Sequence, residues 1–212
     1  MRKISVAEDL EKMANRATGT KTPTFDGAKL AYLEVAGLRA YYDRRWLDCF
    51  RLILQINRQQ FGLSVFRAMQ NAYYFTKASL VWAPVDHKAE VTHKYIRKFY
   101  KVAKRYGNHG KGMPFDAEKV SDIEFEYWIL HRERGNNPDN DPEPYIRCLA
   151  NLHSAIFGIT TEQARYSGEK RAEGTDAIDR VTGKRSSGIE GDWRKAEAAL
   201  REAYRSIAAK LH

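Results

Sequence analysis

The chain has 212 residues, 36 Lys+Arg against 27 Asp+Glu for a net charge of +9, and 43% hydrophobic residues. That length suits one domain with a sizeable core, and the composition is that of a folded chain rather than a disordered one. Apolar runs are too short for a transmembrane helix, so no membrane association is expected, and the N-terminal MRKISVAEDLEKMANRATG carries acids and lacks the apolar stretch of a secretory or transit peptide. A cytoplasmic location is expected. Cys49 and Cys148 sit in apolar helical patterns and read as small buried hydrophobes, with a bridge between them left open.

Taken in chain order, almost every periodic stretch has the helical period, and no Asn-Gly hairpin signal appears between alternating strands. Ser5 with Glu8 forms a capping box for an opening helix, and TGTKTPTFDG follows as a loop. Residues 1–25 are therefore expected as an N-terminal appendage and 26–212 as the helical domain. From Ala28 to about Gln60 the pattern predicts one long helix, with Gly37 as a break or a close helix contact. Phe61 to Trp82 predicts a second helix, closed by Ala83-Pro84 because proline disfavours helix in the residue before it.

A third helix is expected from about Asp86 to Tyr106, ended by GNHGKGMP, and a fourth from an Asp116 N-cap through Arg132. The segment at 136–144, NNPDNDPEP, reads as a proline-punctuated connector, because it lacks the glycine and glutamate an EF-hand loop needs. Tyr145 to Phe157 predicts a fifth helix with Gly158 beyond its end. Thr160 with Gln163 opens a sixth to about Val181, and Asp192 caps a seventh from Trp193 to Leu211. The expectation is an all-α bundle of about seven helices plus the N-terminal helix.

Charge is unevenly spread: +4 over residues 1–60, +8 over 61–115, −5 over 116–160 and +2 over 161–212. Lys94, Arg97, Lys98, Lys101, Lys104 and Arg105 recur at spacings of three and four, so they share one helix face as a candidate anion-binding surface. A solvated face, pairing with the acidic stretch 116–160, nucleic acid and another anionic ligand are the readings it admits. No zinc-finger, RRM or KH pattern accompanies it.

Four ionisable groups stand on otherwise apolar helical faces. Glu124, Trp128 and His131 form a stripe beside the Ile123, Tyr127, Leu130 core stripe. Glu124 and His131 lie about 10 Å apart along the axis, too far to chelate one metal together but able to face a common pocket. Glu34, in AYLEVAGLRAYY, must be paired or protonated if its face is buried, and Arg171 could be its partner, with Asp176 and Asp179 nearby in the same helix. These four, Glu34, Glu124, His131 and Arg171, are the candidate catalytic or ligand-binding residues. His131 is the one among them whose ordinary pKa lies near neutrality.

Glu90-x-x-His93 matches half of a di-iron signature, but no second such pair exists, so no metal is expected and no cofactor is assigned. Arg147 with His153 fits a loose ribonuclease spacing that a chain with twenty arginines and six histidines meets by chance. The run from Tyr127 to Arg132, Arg171-Ala172-Glu173 with Asp179, and Asp192-Trp193 resemble a group of uncharacterised all-helical bacterial proteins over about residues 80–210. Tyr127 stands where that group is expected to have a second tryptophan, and Gly174 where it is expected to have alanine. The resemblance implies an all-α fold and carries no activity or functional residue with it.

The functional expectation is a polar pocket among apolar helices that binds a small ligand, an anionic one included, with acid–base chemistry as a candidate activity. The first alternative is a nucleic-acid or acidic-partner binding module built on the helix at 94–105. A second is an oligomerisation or partner-helix protein, since twelve tyrosines, nine phenylalanines and four tryptophans are more than one core needs.

Overall fold

A computed structural model describes residues 25–211. The opening helix expected around Ser5 and Glu8, and the terminal His212, lie outside the described residues. Eight α-helices run through the described part, with no strand among them: α1 Gly27–Tyr42, α2 Trp46–Phe61, α3 Val65–Trp82, α4 Ala89–Tyr106, α5 Ala117–Asn136, α6 Glu143–Phe157, α7 Thr161–Thr182 and α8 Ile189–Ala208. A single 3-10 turn, Asn108–Gly110, follows α4. The protein is an all-α helical bundle.

Local sequence explains most of the helix ends. Asp116 accepts main-chain N–H groups of Glu118 and Lys119 at 2.9 and 3.3 Å, as an N-cap should. Thr160 and Gln163 close the reciprocal capping box at 3.2 and 2.9 Å. Gly158, with φ of 69°, ends α6 in the left-handed conformation that glycine adopts without a Cβ clash.

Several ends differ from the sequence expectation: Phe61 closes α2 and α3 starts at Val65, α4 starts at Ala89 rather than near Asp86, and α5 runs past Arg132 to Asn136. Two further corrections have a structural reason. The long helix over Ala28–Gln60 is two helices, and it breaks not at Gly37 but at Asp43–Arg45, where Arg44 takes a φ of 56°. No glycine or proline marks that turn, so local chemistry did not announce it. Packing makes it: α2 folds back so that Cys49 and Ile53 bury against Ala40 of α1. Asp192 is the other correction. α8 begins at Ile189, four residues before the expected Trp193, and the Asp192 carboxylate instead accepts Arg180 at 2.8 Å and Ser186 Oγ at 2.6 Å.

Each helix packs on its successor, and α8 returns against α1, so the bundle closes on itself. Side-chain ladders show neighbouring helices running in opposite senses. On α4 and α5, Lys101 meets Glu118 while Arg97 and His93 meet Asp122. On α1 and α8, Arg39 meets Glu190 while Glu34 meets Tyr204. The alternation brings the C-terminal ends of α1, α3, α5 and α7 to one end of the bundle.

Small residues let α7 lie close to its neighbours. A Cβ at Gly168 would stand 2.8 Å from the Ile146 carbonyl oxygen and 2.9 Å from the Ala150 nitrogen. Both cysteines are free and buried. No helix among the described residues is long and apolar enough to cross a membrane.

Candidate functional site

All eight helices contribute to one cavity of about 530 Å³. Its long wall is α5, which presents Glu124, Trp128, His131, Gly135 and Asn136 on successive turns. At 1.5 Å per residue that stripe runs about 18 Å along the axis. Facing it, α7 presents Arg171, Asp179 and Thr182, with Gly183 just beyond its end. The four candidate residues Glu34, Glu124, His131 and Arg171, predicted on three separate helices, all line this cavity.

The deep end is a buried polar network. Arg171 Nη1 donates to Glu34 Oε2 at 2.9 Å and to the Tyr204 hydroxyl at 3.1 Å, and that hydroxyl donates to the other Glu34 oxygen. Burial opposes the Arg171 charge, but Glu34, Tyr204, Tyr127 and Glu124 outweigh it and hold the guanidinium protonated. Arg171 Nε is buried and makes no hydrogen bond among the described residues, so part of the guanidinium stays open to another acceptor.

Glu124 accepts neutral donors only, Trp128 Nε1 at 2.8 Å and the Tyr100 hydroxyl at 3.0 Å. Burial pushes its carboxyl above the usual range, and the charge of Arg171 and the two hydrogen bonds recover only part of that shift. It is a group that can hold a proton inside the cavity.

His153, on α6, lines the same region. Ser167 Oγ donates to the Ala164 carbonyl at 2.7 Å, so toward His153 Nδ1, at 2.8 Å, it acts as acceptor. Nδ1 therefore carries the hydrogen, and Nε2 is a bare acceptor that is buried without a partner among the described residues. Burial, then the nearby Arg171 charge, drives the imidazole well below its usual pKa and keeps it neutral.

Nearer the open end, His131 Nε2 meets Asp179 Oδ1 at 3.1 Å, and its ring stacks on Tyr127 at 5.8 Å between centroids. Asp176 binds Arg134 through both oxygens, at 2.8 and 2.9 Å, and Asp179 binds His131. Tyr41, Tyr42, Phe75, Trp82 and Trp128 supply aromatic walls. The rim is formed by Arg44, Ala83, Asn136 and Gly183, at or just beyond the C-terminal ends of α1, α3, α5 and α7. Arg132 stands there as a cap. Its guanidinium lies 4.2 Å from the Trp82 ring centroid and donates to the Trp82 and Pro84 carbonyls that end α3.

Sequence reasoning did not single out Tyr204, Tyr100 or His153 as part of this site. Each sits in an ordinary apolar periodicity, and no local signal separates them from core residues.

The second candidate surface is distinct from the cavity. Lys94, Arg97, Lys98, Lys101, Lys104 and Arg105 are all exposed on α4. Arg97 pairs with Glu118 and Asp122, and Lys101 with Glu118 at 2.6 Å, so part of the row is matched by the acidic start of α5. Lys98 lies over the Tyr74 and Tyr95 rings at 5.6 and 5.4 Å. Arg147, the other half of the ribonuclease-like spacing, is exposed while His153 is buried, and the two do not converge. No cluster of three or more metal-ligating side chains occurs among the described residues. No family model, no curated protein and no solved structure matches this chain.

Proposed function

We propose that the protein binds a small organic molecule in the central cavity, with the Glu34–Arg171–Tyr204 network fixing its polar end. The observation that carries this reading is the convergence of four ionisable side chains, from α1, α5 and α7, on one cavity of about 530 Å³ with aromatic walls. Such a volume, mostly apolar with a few placed polar groups, is the usual character of a ligand site. His131, oriented by Asp179, is the group suited to proton transfer on a bound molecule.

The test is native against denaturing mass spectrometry on freshly purified protein, beside the variant Gly37→Leu. Gly37 lines the cavity, and a Cβ there meets nothing nearer than Leu52 Cβ at 4.0 Å, so a leucine fills the cavity without clashing at its root. Added mass that leaves on denaturation and is missing from Gly37→Leu supports the reading. Bare mass in both, with no thermal stabilisation by any member of a small-molecule panel, refutes it.

A second reading, an anionic macromolecular partner on α4, is favoured by one observation: Lys94, Lys104 and Arg105 are exposed with no carboxylate of the described residues within ion-pair distance. It predicts affinity for nucleic acid that falls steeply with salt and weakens on charge reversal at Lys98 and Lys104. Affinity independent of salt excludes it.

A further inference from the structure

We infer that the cavity ligand is an organic amine whose ammonium group is seated on Asp179; this rests on the cavity reading above and adds the sign of the ligand's charge. Asp179 is 8% exposed and lies eight residues, about 12 Å, along α7 from Arg171. Its Oδ1 meets His131, but its Oδ2 is buried and has no hydrogen-bond partner among the described residues. A carboxylate oxygen in that position lacks a donor, and an unmet charged acceptor costs more than an unmet neutral one.

Among the described residues, the nearby cations do not supply that donor. Arg134 is committed to Asp176 and to the Asn140 carbonyl. Arg132 is committed to the carbonyls ending α3 and to His87. Arg185 reaches only the main-chain oxygen of Asp179, at 3.5 Å.

Space for a ligand group exists on the open side. Gly135 faces the carboxylate from α5, and a Cβ there would stand 3.7 Å from Oδ2, so the glycine leaves room that a side chain would occupy. Both residues line the cavity.

The surroundings favour a cation. Four helices end at this rim, and each C-terminus carries partial negative charge from its unmet carbonyls. The Tyr41 and Tyr42 rings line the same region, and aromatic faces attract organic cations. Arg132 offsets only the end of α3, and Arg44 is exposed to solvent.

The test is calorimetric titration of the full chain with three probes sharing one ring: tryptamine (cationic), tryptophol (neutral) and indole-3-propionate (anionic). Tryptamine should bind roughly tenfold or more tighter than either of the others. Asp179→Asn retains an acceptor for His131 and should erase that preference while tryptophol affinity stays. Gly135→Ala, which raises helix propensity, guards against a folding artefact and should weaken tryptamine selectively by intruding on the space before Oδ2. Tryptophol binding with no preference for the amine, or a preference that survives both substitutions, overturns the amine inference and leaves the cavity reading standing. Failure of all three probes to bind overturns the amine inference, while the cavity reading is then judged by its own mass-spectrometric test.

Discussion

Replacing Arg171 by methionine would leave Glu34 inside the bundle with the Tyr204 hydroxyl as its remaining hydrogen-bond donor among the described residues. Both side chains of the pair are about one-seventh exposed, at 13% and 15%, so water does little to screen the stranded carboxylate. Breaking a buried pair from one side costs about 3–5 kcal/mol, because an uncompensated charge remains. Removing both charges behaves differently. In Glu34→Leu with Arg171→Met the desolvation cost of the pair also disappears, and the double variant should sit within about 2 kcal/mol of the wild type. Urea unfolding of wild type, both singles and the double, at unchanged m, measures the cycle. The reasoning is refuted if Arg171→Met costs less than about 1 kcal/mol, or if the two single losses simply add. The same variants separate structure from binding: the double should fold yet lose its hold on the polar end of a cavity ligand.

Other predictions follow from single features of the structure. Glu124 is raised in the folded state above its ordinary value of 4.5, so the folded protein binds more protons than the unfolded chain above that value. The stability this contributes is therefore complete below pH 4.5 and is lost as pH rises toward the folded-state value; Glu124→Gln, followed by thermal melts over that range, should flatten the slope. His153 runs the opposite way: its depressed pKa means stability falls as pH drops below 6.5, by up to about 1.4 kcal/mol per unit, and His153→Phe should remove that slope. Gly168→Ala forces a methyl to within 2.8 Å of a main-chain oxygen of α6, and overpacking of about 1–3 kcal/mol should offset the roughly 1 kcal/mol gain in helix propensity; an unfolding midpoint that rises counts against the close packing. Burial pushes the Cys49 and Cys148 thiols up to about 11 and about 12, so a thiol reagent at neutral pH should label neither until denaturant is added.

The helix ends show where local chemistry is sufficient. Asp116, Thr160 with Gln163, and Gly158 act through groups within three or four residues of themselves, and each does in the structure what its spacing implies. The turn at Asp43–Arg45 has no such group: Arg44 adopts its left-handed conformation because α2 packs back on α1, and that contact spans residues no local window contains. Asp192 shows the same limit in reverse. Its composition suits an N-cap, yet Arg180 and Ser186 stand closer in space than the helix start it seemed to mark.

The site divides along the same line. That Glu34, Glu124, His131 and Arg171 face inward was legible from the 3.6-residue period, since an ionisable group on an apolar stripe has to be buried with the stripe. Which groups meet was not. Arg171 reaches Glu34 across 137 positions of sequence, and Tyr204 reaches Glu34 across 170. Sequence by itself determined the all-α class, most of the helices and the faces they bury, because backbone propensity, capping and periodicity are short-range. The tertiary structure alone decided that α1, α5 and α7 turn those faces toward one cavity, that Asp179 takes His131 while Arg171 takes Glu34, and that four C-terminal ends share one rim, because the relative register of packed helices is set by side-chain interdigitation between segments far apart in the chain.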